Sequence, residues 1–362
     1  MARPAGSETT TQIGGIQVLR GLAAVSVAFL HIEQAAGAFV GRPGQSPWPW
    51  LRALPWEAGV DVFFVISGFV MAYASADLFA RPGAVRIFLA RRVARVVPLY
   101  WLFTSLTLFV ALAAPRLLND PISGGWPGVV ASYLFIPWAR QDGAMQPLFR
   151  LGWTLNYEML FYAVFAPFLL LGRRGGVAGV VAVIAVLTIV GQFVQPQNRQ
   201  IGFWTDPIVT EFAYGVVLGA LRTEEVRLPR VLRLALLGFG IAAFVCIGVD
   251  DTQRRALSYG LPAVCLLAGA ALGPCWSGRS ALSRAALLLG DSSYAVYLVH
   301  PYPMRGLREA WARLGFGGAG GIASYILAAL VVSCLLGVWV HRALEIPLVR
   351  ATRKVLGTRT PT

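Results

Sequence analysis

The sequence predicts an all-α, polytopic membrane protein of about ten transmembrane helices with both termini in the cytoplasm. Three observations carry this prediction. The 362 residues are 57% hydrophobic and only 13% charged, with a mean hydropathy of +0.64, whereas a soluble domain carries roughly 25% charged residues. Apolar runs of about 20 residues, enough to cross ~30 Å of hydrocarbon, recur along the whole chain. The basic residues, which give a formal net charge of +14, fall in short clusters between those runs, a topogenic pattern and not a nucleic-acid-binding one. Membrane lipid is the expected surround, and no nucleic acid is expected as a partner.

Taken in order, the apolar windows place helices at 16–35, 57–76, 96–115, 152–171, 175–194, 206–222, 231–249, 256–273, 285–303 and 321–343. The first run is no cleavable signal, because it holds Arg20 and His31 and lacks a small-residue cleavage site. The stretch 128–138 is too short to span and reads as re-entrant or interfacial. From a cytoplasmic N-terminus the inner segments collect 19 Lys/Arg and the outer ones 11, with Arg20 inside the first helix. That excess sets the orientation. Residues 1–15 then form a cytoplasmic tail, 16–345 the ten-helix domain and 346–362 a basic cytoplasmic tail. Cys246, Cys265, Cys275 and Cys334 lack metal or redox spacing and read as packing residues.

The chemistry is expected where charge is expensive. Arg20 and His31 are eleven positions apart, so they share one face of the first helix, ~16 Å apart along it. Counting inward from helix ends, Asp61, Glu158 and Glu211 come to the depth of His31 from three other helices. Ionised groups in lipid must face the bundle interior or water, and a carboxylate beside a histidine fixes its tautomer and strengthens it as a base. A polar network that only locks helices together is the competing reading, with Glu211 its best candidate. Arg92 and Arg95, three apart at the inner boundary, suit either positive-inside signalling or a phosphate-bearing ligand. His300 reads either as a helix-end residue or as a second base, and His341, four before Glu345, as structural.

In order and spacing, "IQVLRGLAAVSVAFLH" with its Arg-x10-His pattern, "GVDVFFVISGF", "RRVARVVPLYW", "GWTLNYEMLFY", "DSSYAVYLVHP" and "EIP" at 345–347 resemble the acyltransferase-3 family of integral-membrane acyltransferases, in particular its exopolysaccharide-modifying branch. The resemblance covers nearly the whole chain. It implies an O-acyltransferase of the cytoplasmic membrane that moves an acyl group, usually acetyl, from cytoplasmic acyl-CoA to a carbohydrate hydroxyl, on an exopolysaccharide or its polyprenyl-linked precursor. It makes His31 the base, Arg20 its motif partner, and Arg92 and Arg95 the other functional basic pair.

On this view Asp61 or Glu158 supports the imidazolium, and Arg20, Arg92 and Arg95 bind the donor, acetyl-CoA. Trp153, Tyr157, Glu211, Tyr294 and His300 are candidate substrate contacts. No permanently bound cofactor and no metal are expected. A small secondary metabolite such as a macrolide is the alternative acceptor. A sugar or proton-coupled transporter is the alternative outside enzymes, since intramembrane ionisable residues also build relays.

Overall fold

The computed structural model describes residues 13–114, 122, 124–249, 254–274 and 280–357. Helices dominate it, and the one β-type pairing among the described residues is an isolated bridge between Ala139 and Met145. Cys275 and the predicted tail residues 1–12 and 358–362 lie outside the described residues.

The chain opens with α1 (Gly14–Ala36), which carries both Arg20 and His31, and continues into α2 (Gly59–Ala74) and the 30-residue α3 (Ala84–Ala113). The window at 96–115 therefore caught only the C-terminal two-thirds of α3. Its first turns read as loop because Arg86, Arg91, Arg92 and Arg95 lower their hydropathy, and Arg92 and Arg95 stand within the helix. The short α4 (Gly125–Tyr133) falls on the stretch judged too short to span. Then come α5 (Trp153–Phe168), α6 (Arg173–Val194), α7 (Arg199–Trp204) and α8 (Thr210–Thr223). They are followed by α9 (Arg230–Ile247), α10 (Arg255–Ser258) and α11 (Gly260–Ala271).

The last third holds α12 (Ala281–Asp291), α13 (Ser293–Val299), α14 (Pro301–Arg313), α15 (Gly318–Val340) and α16 (Ile346–Val355). A π turn over His341–Glu345 joins α15 to α16 without a break, so part of the predicted tail is helix, packed along α3.

Each predicted span falls on helix, but length divides them. Among the described residues six runs are long and apolar enough to cross a membrane, namely Gly14–Val40, Pro49–Ala74, Ala84–Ala113, Arg173–Val194, Arg230–Ile247 and Gly318–Val355. The other four are shorter or interrupted. Helix α5 has 16 residues and α8 has 14, which at 1.5 Å per residue reach only about 21–24 Å. The window 256–273 is split between α10 and α11. The window 285–303 is broken at Ser292 and at His300, and Pro301, having no N–H, cannot continue the ladder of α13 and instead starts α14.

Side-chain size decides how closely the inner helices approach. α2 and α8 form the most extensive helix pair, and a Cβ at Gly68 or Gly215 would lie about 2 Å from a carbonyl oxygen of the opposing helix. Small residues at such crossings let backbones meet where lipid offers no hydrophobic drive. By contrast, α6 and α9 bury almost nothing and expose Ile189, Phe193, Val231 and Phe239. An apolar surface of that extent is stable against lipid and not against water. The protein is a membrane protein, and its polar chemistry is confined to the interior.

Candidate active site

Two cavities open on the shared face of α1, called outer and inner after the orientation the sequence predicts. The outer one, of about 1090 Å³, is lined by His31 from α1, Trp153 from the start of α5, His300, and Tyr302 and Arg305 from α14. The inner one, of about 150 Å³, is lined by Arg20 from α1, Ser67 from α2, Arg92 and Arg95 from α3, Glu158 from α5 and Tyr294 from α13. One helical face thus serves both, as eleven residues at 100° per residue require.

In the outer cavity the two histidines form a pair. His31 Nδ1 lies 3.0 Å from His300 Nε2, with the rings stacked 10° from parallel and their centroids 5.1 Å apart. His300 is fully buried, and its second nitrogen, Nδ1, has no solvent access and no hydrogen-bond partner among the described residues. His31 Nε2 is open to the cavity. With a proton on His31 Nδ1 donated to His300 Nε2, the lone pair of His31 Nε2 is left for a substrate hydroxyl. The sequence left His300 undecided between a helix-end residue and a second base. The break before Pro301 turns it towards α1.

A thin wall separates the cavities. The Tyr297 hydroxyl lies 3.1 Å from Thr154 Oγ1 and donates to the Leu151 carbonyl at 3.0 Å. Tyr297 and Thr154 line the inner cavity, while the Tyr297 ring packs edge-on against His300 on the other side, 6.2 Å between centroids.

The carboxylates are arranged differently from the sequence-based expectation. Asp61 does not face His31. It is fully buried and receives a bidentate pair from Arg255, at 2.8 Å from Nε and 2.7 Å from Nη2, while its helix neighbours Val60, Phe63 and Phe64 line the inner cavity. Glu211, also fully buried, joins that cluster beside Asp61, so neither residue lines either cavity.

Glu158 accepts a hydrogen bond from the Tyr162 hydroxyl and one at 3.5 Å from Ser67, on the wall that also carries Arg20 and Arg92. Depth counting failed because it assumed that helix ends are level. α5 starts at Trp153, already on the wall of the outer cavity, so Glu158, five residues on, lies ~7.5 Å further in. Tyr157 is likewise core, stacked on Phe203 with centroids 3.9 Å apart.

The inner arginines are not equivalent. Arg95 Nη1 pairs with Glu345 at 2.7 Å, and Glu345 also meets His341 at 2.8 Å across the π turn. Arg92 lies over the Phe88 ring, 5.6 Å from its centroid, and no carboxylate pairs with it among the described residues. Tyr294 donates to the Val96 carbonyl at 2.8 Å, which leaves it a wall residue. No cluster of His, Cys, Asp and Glu suited to a metal ion occurs among the described residues.

A family model described as an acyltransferase domain matches residues 13–340. The exopolysaccharide production protein ExoZ of Rhizobium meliloti is 35% identical over 300 residues, covering 82% of this chain and 90% of that protein. The acyltransferase MdmB of Streptomyces mycarofaciens is 31% identical over 330 residues, 83% of this chain and 82% of its own. A putative peptidoglycan O-acetyltransferase of Bacillus subtilis, YrhL, is 25% identical over 372 residues, with 93% of this chain and 55% of that protein covered. No solved structure matches. With a family model over most of its length and two such relatives, the chain belongs to the acyltransferase-3 family and is an acyltransferase.

Proposed function

We propose that this protein is a multi-pass O-acyltransferase of the cytoplasmic membrane, taking an acyl group, most simply acetyl, from acyl-CoA on the inner side and placing it on a carbohydrate hydroxyl in the outer cavity. The observation that carries the reading is the pair of cavities along one face of α1, with guanidinium groups in the inner one and the His31–His300 pair in the outer one. Ten crossings, counting the short and broken helices, and cytoplasmic termini complete the arrangement. Residues 16–345 form the catalytic domain and the flanking segments its cytoplasmic tails.

The inner cavity is too small for a nucleotide but admits a slender pantetheine arm. Arg92 and Arg20 attract the anionic donor, its nucleotide stays at the inner mouth, and the thioester passes Tyr297 to reach the histidines. His31 Nε2 then takes the proton of the acceptor hydroxyl as its oxygen bonds to the thioester carbonyl carbon. The carbon–sulfur bond breaks, and the imidazolium returns the proton to the departing thiolate. His300, holding the other nitrogen, keeps His31 in the reactive tautomer. Trp153 offers its face to a sugar ring.

The test is transfer from radiolabelled acetyl-CoA by protein reconstituted in nanodiscs. Arg92→Ala is expected to raise the acetyl-CoA KM by roughly 10-fold or more, the value of one charge-assisted contact, with the acceptor KM almost unmoved. Arg92→Lys restores part of the loss, because an ammonium keeps charge but loses the fork. A rise confined to the acceptor KM removes Arg92 from the donor site.

Orientation has its own test. In a cysteine-free background, Arg42→Cys is expected to react with an impermeant thiol reagent in intact cells, and Arg81→Cys only after permeabilisation. Both positions are exposed, and neither requires the left-handed backbone of nearby Gly44 and Gly83. The opposite labelling pattern inverts the topology.

A further inference from the structure

We propose that the acceptor is anionic, carrying a phosphate or carboxylate that Arg150, Arg305 and Arg308 hold in the outer cavity while the hydroxyl to be acylated meets His31. This rests on the acyltransferase reading above and adds to it the charge of the second substrate.

The argument begins with where arginine is unexpected. Segments on the outer side of a membrane are depleted in Lys and Arg. Yet the cavity that holds the histidine pair is lined by Arg140, Arg150, Arg305, Arg308 and Arg313, with Glu309 as its one acidic wall residue. Local pairing accounts for part of this set. Arg313 pairs with Glu309 at 3.1 Å, and Arg140 is buried near Asp142 at 3.8 Å.

The remaining three are different. Arg150 spends Nε on Gln146 Oε1 at 2.8 Å, which leaves its two terminal nitrogens without a carboxylate among the described residues. Arg305 and Arg308 have neither a hydrogen bond nor an ion pair among the described residues. They stand three apart on α14, so their side chains share a face, and two like charges so placed repel unless an anion lies between them. Arginine forks match phosphate and carboxylate oxygens geometrically, and a cleft with walls of one sign concentrates ligands of the other.

Arg150 and Arg305 are exposed and Arg308 half-buried where they line the cavity, so their guanidinium groups stand at its open side, where an entering anion meets them. The geometry also sets a length. His300 immediately precedes α14, and Arg305 lies five residues on, ~7.5 Å along the axis. That offset is between about one and two sugar units, so a charge on the acylated sugar's neighbour, or on the link to a lipid carrier, comes within reach of the arginines. A neutral oligosaccharide needs the hydroxyl and aromatic walls, Thr107, Trp153 and Tyr302, and leaves the guanidinium groups unused.

Acceptor KM measured in phosphatidylcholine nanodiscs with acetyl-CoA tests this. Three probes are compared: a neutral gluco-oligosaccharide, the same oligosaccharide ending in glucuronic acid, and undecaprenyl diphosphate glucose. At least one anionic probe is expected to have a KM about 10-fold or more below that of the neutral one. The preferred probe tells a sugar carboxylate from a carrier diphosphate. Raising sodium chloride to 0.5 M, about a 4 Å screening length, should erase most of that preference in the unaltered protein. Arg150→Gln and Arg305→Gln should shrink the ratio of neutral to anionic KM towards one, with Lys replacements retaining part of it.

Equal KM for all three probes, insensitive to salt and to the arginine variants, overturns the anionic acceptor while leaving O-acyl transfer to glycans standing. No transfer to any probe, from protein that retains its thermal unfolding transition, overturns the glycan reading and this proposal with it.

Discussion

Loss of the imidazole in His31→Ala is expected to lower acyl transfer by about 10²–10⁴-fold, the effect of removing a positioned general base, while expression and detergent stability hold. The stability expectation follows from position, since His31 lines a large cavity and its removal leaves no dry void. His300→Ala is expected to cost less, roughly 10–100-fold, because it removes one hydrogen bond to a group that becomes charged in the reaction. The two variants also differ in kind. A proton acceptor in the medium, such as imidazole, should restore part of the activity of His31→Ala by entering the vacated cavity. It should do nothing for His300→Ala, whose base is still present and only misoriented. Retention of more than half the activity in His31→Ala removes it as the base. Rescue of His300→Ala alone by added imidazole exchanges the two roles.

How much of this was legible in the sequence depends on whether the signal was local. Arg20 and His31 share a helix face by arithmetic alone, and the structure puts them on two separate cavities along that face. The long apolar helices were legible for the same reason, since twenty apolar residues in a row announce themselves. Positions set by tertiary contact were not. Asp61 meets Arg255 across 194 residues of sequence, and Arg95 meets Glu345 across a comparable gap. Neither pairing leaves a local pattern. His300 is intermediate: the His-Pro step marks a helix break, but only packing shows that the break delivers the ring to α1. The common depth assigned to the three carboxylates did not hold for Glu158, which lines the inner cavity, because α5 is only 16 residues long and its start, already on the outer cavity wall, gives no measure of depth.

The pairing of Asp61 with Arg255 makes the second large prediction, and it separates a structural role from a catalytic one. Asp61 is fully buried and the Arg255 side chain is 28% exposed. Asp61→Ala takes the bidentate partner from a largely buried guanidinium, leaving it only the neighbouring Glu211 and Glu57. Removing one partner of a buried pair costs about 3–5 kcal/mol, and the partial exposure of Arg255 places this pair near the low end, at about 3 kcal/mol. Against a total stability on the order of 5–15 kcal/mol, that is a marked fall in the thermal unfolding transition of the purified protein, with activity lost in proportion to folded protein. Replacing both partners by apolar residues of similar volume avoids the orphaned charge and is often neutral or better. Asp61→Leu with Arg255→Met, combined with Glu211→Gln so that no buried carboxylate loses its cation, is therefore expected to recover most of the stability and, because none of the three lines either cavity, most of the acyl transfer. A combined variant that regains its unfolding transition but stays inactive would return Asp61 to the catalytic role that its depth in the sequence first implied.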